Sequence, residues 1–367
     1  MKQKKIILFM PSIERGGVEK NFFIISNFLQ KKFNNLTIIT SDVSRVKKKN
    51  KEIKIINNPF IFQNVKSRYI KYFMCLMSLI KKILNDKNII VLSFQANIYA
   101  ILICKLFGIK ILVRANASSL IWASNLFKII VFKWIFKIAD GVIVNSKDLK
   151  REFLLKFKVN AELIYNPLNV NEIICLSKKK TKEKFFNKDN SCLKIINIGR
   201  LTHQKDHITL LKALYLIKEK IRFKALIVGS GTEKKKLTKY ITKKNMLNKV
   251  KILNYNSNPF PLLKKADLFI LTSLYEGLPN VLLEALVLKK IVFSTNCQTG
   301  PREILENGKN GMLFKVEDYK TLSRKIFEFY KDKKKYFKKF KNFNNSLKRF
   351  DQKKNLDKYY SIIKKIM

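Results

Sequence analysis

Short apolar runs and amphipathic stretches alternate along most of the chain. Residues 6–10, 36–40, 53–56, 89–93, 110–114, 141–146 and 161–165 carry the nearly unbroken apolar character of buried strands. Between them, residues 18–33, 66–84, 97–107 and 121–138 place apolar side chains at helical spacing, so the pattern predicts repeated β-loop-α units and a parallel sheet. The order breaks at Asn166-Pro167. Residues 169–191 are polar and lysine-rich, and a strand at 193–198 restarts the alternation, followed by strands at 223–228, 266–271 and 291–294. This reads as two doubly wound, parallel-sheet α/β domains. The expected boundaries are 1–168, a linker at 169–191, 192–345, and a terminal segment 346–367. Length agrees, since 367 residues exceed one comfortable domain and suit two of about 150–200.

Residues 273–286, SLYEGLPNVLLEAL, join the end of a strand, a polar loop and a helix start. Pro279 suits the first helical position, where a missing N–H costs nothing. Glu276 lies in the loop and Glu284 in the helix. At about 100° per residue, both reach a ligand at the helix N-terminus only if Glu276 swings in from the loop. Free N–H groups and the helix dipole favour a diphosphate there, leaving the carboxylates for hydroxyl groups of attached sugars.

Other loops share this strand-to-helix setting. Gly16-Gly17 lets backbone approach a ligand closely, although the G-x-G-x-x-G spacing of a dinucleotide site is absent. Gly229-Ser230-Gly231 turns out of the strand at 223–228. Arg114-Ala115-Asn116 end the strand at 110–114, and ligands of open parallel sheets bind beyond the carboxyl ends of strands. Arg114 and Asn116 are therefore candidate contacts for an acceptor or a sugar.

Composition sets the class. Hydrophobic residues make up 47% and aromatics 12%, which excludes general disorder. No run reaches the ~20 apolar residues of a membrane-spanning helix. The basic start MKQKK precedes only residues 6–10 before Pro11, shorter than the ~7–15 residue core of a signal peptide. Five scattered cysteines without C-x-x-C spacing argue against a disulfide framework or zinc site and suit a reducing cytosol. His203 and His207 are the two histidines, and the loop placement of His203 argues against a shared metal-binding face. We therefore expect no metal.

Charge adds a partner class. There are 76 Lys plus Arg against 26 Asp plus Glu, a net charge of +50. The excess is mostly lysine, spread along the chain, and no nucleic-acid module accompanies it. A cationic surface of this kind attracts anionic lipid headgroups and phosphorylated substrates, and nucleic acid only non-specifically. Residues 121–138 combine Trp122, Phe132, Trp134 and Phe136 with Lys128, Lys133 and Lys137. Two readings stay open for them: a helix lying at a membrane interface, and a crossover helix packed on the first sheet.

The pattern S-x-x-E-G-x-P-x-x-x-x-E-A at 273–285 resembles the signature of the retaining nucleotide-sugar glycosyltransferases of family 4. The resemblance implies the GT-B fold, two Rossmann-like domains facing a cleft, with the terminal helix within 346–367 packing back on the first domain. The resemblance implies that Glu276 contacts the transferred sugar and Glu284 the ribose. Backbone of Gly277, Leu278, Pro279 and Asn280 would face sugar or phosphate. Arg200 and Lys205, five positions apart after the strand at 193–198, match the cations that neutralise the donor diphosphate in that family. Such fixed charge is often the largest catalytic term. Gly16-Gly17-Val18-Glu19 matches the family's G-G-x-E beside the cleft, and Gly229 falls in a nucleotide-facing turn. Many relatives carry a His near Arg114; this chain has none in its first 200 residues, and Asn116 takes that place. The G-P-x-E-I-L run at 300–305 resembles members that build bacterial surface glycans.

The implied activity is transfer, with retention, of a sugar such as an N-acetylhexosamine from a UDP-sugar to a lipid-linked or surface-polysaccharide acceptor. It implies a cytoplasmic enzyme at the inner face of an anionic membrane, without cofactor, metal or specific nucleic acid. Two alternatives stay open. A basic nucleic-acid-binding protein predicts salt-steep binding indifferent to Glu276. Another GT-B-like enzyme, such as an epimerase, would share the fold.

Overall fold

The computed structural model describes residues 4–14, 16–50, 52–56, 65, 67–118, 125–186, 191–340 and 346–367. Lys66 and residues 121–124, including Trp122, lie outside the described residues. The chain divides into two compact units, Met1–Pro167 with Gln352–Met367, and Leu168–Asp351.

The first unit is built on seven parallel strands in the order β3-β2-β1-β4-β5-β6-β7. Their bounds are β1 Lys5–Phe9, β2 Leu36–Ile39, β3 Lys54–Ile55, β4 Ile89–Ser93, β5 Lys110–Ala115, β6 Gly141–Val144 and β7 Glu162–Leu163. The chain winds outward from β1 to β3, returns to β4 and winds outward again to β7. Right-handed crossovers therefore place helices on both faces. Ile6 and Leu8 join Phe22, Ile25 and Leu29 of helix Gly17–Lys32 on one face. Ile7 and Phe9 face the other way, with Cys75, Leu79 and Ile83 of helix Arg68–Asn85. Burial on both faces explains the unbroken apolar runs.

Helix Gln352–Ile366 packs on the same face as Gly17–Lys32 through Leu356, Tyr359 and Ile363. Its Asn355 accepts a 3.1 Å hydrogen bond from the Tyr165 N–H.

The second unit repeats the winding with six parallel strands in the order β10-β9-β8-β11-β12-β13. These are β8 Leu193–Ile198, β9 Phe223–Val228, β10 Val250–Leu253, β11 Leu268–Leu271, β12 Ile291–Thr295 and β13 Met312–Phe314. The doubly wound α/β reading thus holds for both units. The sequence pattern did not include β10 and β13, VKIL and MLF, the two edge strands of this sheet. The stretch read as a linker contains helix Val170–Ser177, whose N-terminus is capped by Asn169 accepting from Glu172 N–H at 3.0 Å. Asn258 of the second unit donates to the Leu176 carbonyl at 3.0 Å, so this helix is part of that unit.

Candidate functional site

In the second unit the winding reverses between β8 and β11. Loops leaving these strands run to opposite faces of the sheet, which opens a crevice at their carboxyl ends. Two glycines bring the β8 and β9 loops together. A Cβ on Gly229 would stand 1.8 Å from the Gly199 carbonyl oxygen, and one on Gly231 would stand 2.2 Å from that of Leu201. The Gly229 N–H donates to the Leu253 carbonyl at 2.9 Å. Gly229, expected to contact the donor, is buried and permits the close approach of two loops.

The β8 loop is stapled to the β11 loop by three hydrogen bonds. The Thr272 hydroxyl donates to the Lys205 carbonyl at 3.0 Å, and the Gln204 side-chain amide donates to the Tyr275 carbonyl at 2.9 Å. The Leu274 N–H donates to the Gln204 carbonyl, also at 2.9 Å. At this junction the ammonium of Lys205 pairs with Glu276, and their side chains are only 13% and 7% exposed. The Ser273 hydroxyl donates to the same carboxylate oxygen at 2.6 Å. Thr299 donates to the Glu276 carbonyl from the β12 loop. Arg200 is exposed at the mouth and donates to Gln204 Oε1 at 3.3 Å.

The segment after Glu276 is held from the other side. Gly300 has φ +81°, and a Cβ there would lie 2.1 Å from the Gly277 carbonyl oxygen, so glycine is required for this contact. Pro279, expected as the first helical residue, stands one place earlier as the cap. Its ψ of 105° is extended, and the helix runs Asn280–Val287. Glu284 is buried in the second turn of that helix, between Leu283 and Ala285.

Two neighbouring titratable groups stay neutral. Burial and the Lys205 charge push the His207 pKa down to about 3. Burial, reinforced by the negative charge of Glu276, pushes the Cys297 thiol up to about 12. Neither suits proton transfer near neutral pH.

Arg200, Lys205, Glu276, Gly277, Leu278, Pro279, Asn280 and Glu284 all belong to the second unit, where Lys205 and Glu276 are in direct contact, while Gly16, Gly17, Arg114 and Asn116 belong to the first. Gly16 and Gly17 are exposed at the start of helix Gly17–Lys32. Asn116 donates weakly to the Phe94 carbonyl at 3.4 Å, and its Oδ1 is buried without a hydrogen-bond partner.

Arg114 requires a correction. It is 0% exposed, donates to Asn166 Oδ1 at 2.6 Å, and lies 5.9 Å from the ring centroids of both Phe94 and Tyr359. Strand alternation puts it on the face of Leu112, which helix Gln352–Ile366 covers. Its guanidinium is therefore packed in the core of the first unit and not open at the strand end, with Nε and Nη1 buried without a hydrogen-bond partner.

Ser273 entered the sequence reading only as the first position of the 273–285 pattern, and Gln204, Thr272 and Thr299 were not singled out from sequence. Among the described residues no group of three or more His, Cys, Asp or Glu is placed to hold a metal, and no helix is long and apolar enough to cross a membrane.

Comparison with known proteins bears on this arrangement. Residues 15–172 match the model described as Glycosyltransferase Family 4, and residues 178–347 match Glycosyl transferases group 1. An uncharacterized glycosyltransferase of Methanocaldococcus jannaschii is 37% identical over 181 residues, 48% of this chain and 45% of that protein. The chain therefore spans less than half the length of this relative. Over 346 residues it is 26% identical to the N-acetylgalactosamine-N,N'-diacetylbacillosaminyl-diphospho-undecaprenol 4-alpha-N-acetylgalactosaminyltransferase of Campylobacter jejuni, covering 90% of this chain and 91% of that one. Anabaena Alr3699/HepE, solved in complex with UDP-glucose, superposes with a TM-score of 0.78 at 18% identity, covering 99% of this chain and 100% of that one. At this identity the likeness speaks for the fold alone. Two family models that follow one another along the chain, on two parallel-sheet units of matching topology, show that the protein belongs to the GT-B glycosyltransferases of family 4 and group 1.

Proposed function

We propose that this glycosyltransferase moves a sugar of the N-acetylhexosamine kind from a UDP-sugar to a lipid-linked or surface-polysaccharide acceptor, with retention, at the cytoplasmic face of a membrane. The observation that carries this reading is the buried Lys205–Glu276 pair at the ends of β8 and β11, close to the start of helix Asn280–Val287. The names of two similar proteins support the substrate classes: one is an N-acetylgalactosaminyltransferase acting on an undecaprenol-linked saccharide, and the other was solved with UDP-glucose.

In this reading Arg200 and Lys205 receive the donor diphosphate and Glu284 takes the ribose. Gly277 to Asn280 line the sugar and phosphate, and Gly16, Gly17 and Asn116 lie toward sugar or acceptor. Glu276 faces the transferred sugar, oriented by Ser273 and Lys205. Its carboxylate is balanced by an ammonium, which suits a positioning group better than an attacking one. As the glycosidic bond to UDP breaks, negative charge grows on the diphosphate and strengthens its attraction to Lys205 and Arg200. That differential stabilisation speeds transfer. Two fixed cations provide it in place of a metal, so we infer transfer that tolerates chelator. Glu276 and Glu284 lie along one loop and helix, unlike the facing acid and nucleophile of a glycosidase.

The test is UDP release from UDP-N-acetylhexosamines and UDP-glucose with a prenyl-diphosphate saccharide acceptor and chelator present, followed by NMR of the new anomeric centre. UDP alone should also raise the unfolding free energy, by about 2.7 kcal/mol at a hundredfold excess over its Kd. Glu284→Ala should remove that rise. No stabilisation of the wild type by UDP overturns the donor site, and a product of inverted configuration overturns retention.

A further inference from the structure

The two faces of the first unit's sheet carry helices of different character. Helices Gly17–Lys32, Val43–Lys49 and Gln352–Ile366 pack around one face. The other is covered by Arg68–Asn85, Asn97–Leu106, Leu126–Ile138 and Lys147–Glu152 with its π-helical continuation Phe153–Phe157, each packed on the next. Of the 21 exposed large hydrophobic residues among the described residues, 15 lie on this second set and none on the first. Tyr69, Phe73, Leu106, Leu126, Phe127 and Trp134 are each 66% exposed or more. Helix Leu126–Ile138 shows how one segment does both jobs: Ile135 and Phe136 enter the core while Phe127 and Trp134 point away from it. Asn125 fixes its start by accepting from Lys128 N–H at 2.9 Å. An exposed apolar surface assembled from four consecutive segments is far more than scattered surface residues supply.

Charge identifies the occupant. The same four segments carry twelve Lys and Arg against two acids, Asp148 and Glu152, and Glu152 is buried beside Lys156. Lys128, Lys137 and Arg151 are exposed among the apolar side chains, and Lys137 lies 5.7 Å from the Trp134 ring centroid. A second copy would bring like charge against like. An anionic bilayer instead takes aromatic and aliphatic side chains into its interface and lysines onto its phosphates.

We propose that the face formed by Arg68–Asn85, Asn97–Leu106, Leu126–Ile138 and Lys147–Phe157 docks on an anionic phospholipid bilayer. The inference rests on the proposed function only for placing the enzyme at a membrane, and vesicle binding is read without donor or acceptor, so either can fail alone. The experiment is flotation of the full chain with phosphatidylcholine vesicles and with vesicles containing phosphatidylglycerol, in moderate salt. The protein should float with the anionic vesicles. Phe127→Glu/Trp134→Glu should lower the bound fraction ~tenfold or more with its thermal midpoint kept. Lys235→Gln/Lys239→Gln, which changes net charge equally but in the second unit, should change it by less than about twofold. If the first double variant does not fold, Tyr69→Glu/Leu106→Glu on neighbouring helices takes its place with the same expectation. Wild type left at the bottom of the gradient overturns the proposal. So does equal loss in the lysine control, which would make binding a matter of net charge. A dimer in sedimentation velocity, dissolved by Phe127→Glu/Trp134→Glu without vesicle binding, assigns the face to a second copy and overturns it too.

Discussion

The two units reverse their winding at equivalent points, between β1 and β4 in one and between β8 and β11 in the other, yet they fill those points differently. In the first unit the β1 and β4 loops meet through neutral groups, while the Asp42 carboxylate, paired with Lys71, holds the β1 loop to the β2 loop. The Ser12 N–H donates to Gln95 Oε1 at 3.0 Å, the Ser93 hydroxyl donates to Asn97 Oδ1 at 2.9 Å, and the Asn97 amide donates to the Arg114 carbonyl at 2.9 Å. In the second, the same architectural task includes a buried ion pair, Lys205 with Glu276. A buried pair is a weak way to gain stability, because desolvation offsets the attraction. The second unit places its ion pair directly between the loops of the two switch-point strands, whereas in the first unit the comparable pair, Asp42–Lys71, holds the β1 loop toward its outer neighbour β2.

The largest effect should come from the Lys205–Glu276 pair. Glu276→Gln keeps an acceptor for Ser273 but leaves Lys205 uncompensated, and kcat/KM for transfer should fall ~10²–10³-fold, as for loss of one preorganised electrostatic contact. The comparison residue is Asp42 of the first unit, which binds Lys71 at 2.8 Å and accepts from the Ile13 N–H at 2.8 Å. Asp42→Asn should leave kcat/KM within a few-fold while lowering the urea midpoint. Equal losses of activity in both would break the contrast.

Glycine substitutions come next. Gly229→Ala forces a Cβ into the Gly199 carbonyl, a backbone atom that cannot step aside, and should cost about 2–3 kcal/mol in urea unfolding along with UDP affinity. Gly16→Ala meets only the carboxylate end of Glu19, at 2.7 Å, with φ at −165°, and should stay within about 0.5 kcal/mol. The sequence presents both as glycines in a turn before a helix, and only the packed loops tell them apart.

That difference shows where legibility ended. Strands buried on both faces announced themselves, and β4, β8 and β9 run over the same residues in sequence and structure. Glu276 and Lys205 were visible as residue types at a spacing. Their pairing spans 71 positions, and no local pattern selects one among 76 cations as the partner. Arg114 was misread for a related reason: its place at a strand end is local, whereas the terminal helix that buries it lies more than 200 residues away. Asn166→Ala, which removes the acceptor of that buried guanidinium, should cost about 1–3 kcal/mol and leave UDP affinity unchanged. A loss of UDP affinity at unchanged stability would instead return Arg114 to the site.

The smallest effect separates the units by pH. His207 is buried at the start of helix His207–Leu216, and its folded pKa of about 3 lies below the ordinary value of 6.5. The unfolded chain therefore takes up a proton that the folded chain refuses. Acidification below 6.5 favours unfolding, while above that value the group contributes no pH dependence. From pH 6.5 to 5.5 this amounts to about 1 kcal/mol. Both histidines belong to the second unit, and both tryptophans, Trp122 and Trp134, to the first. If the units unfold separately, the urea midpoint seen by far-UV circular dichroism should split on acidification, with tryptophan emission following the component that does not move. His207→Leu should remove the shift. A shift that survives His207→Leu, or one carried by tryptophan emission alone, would locate the acid-sensitive burial in the first unit and reverse the assignment.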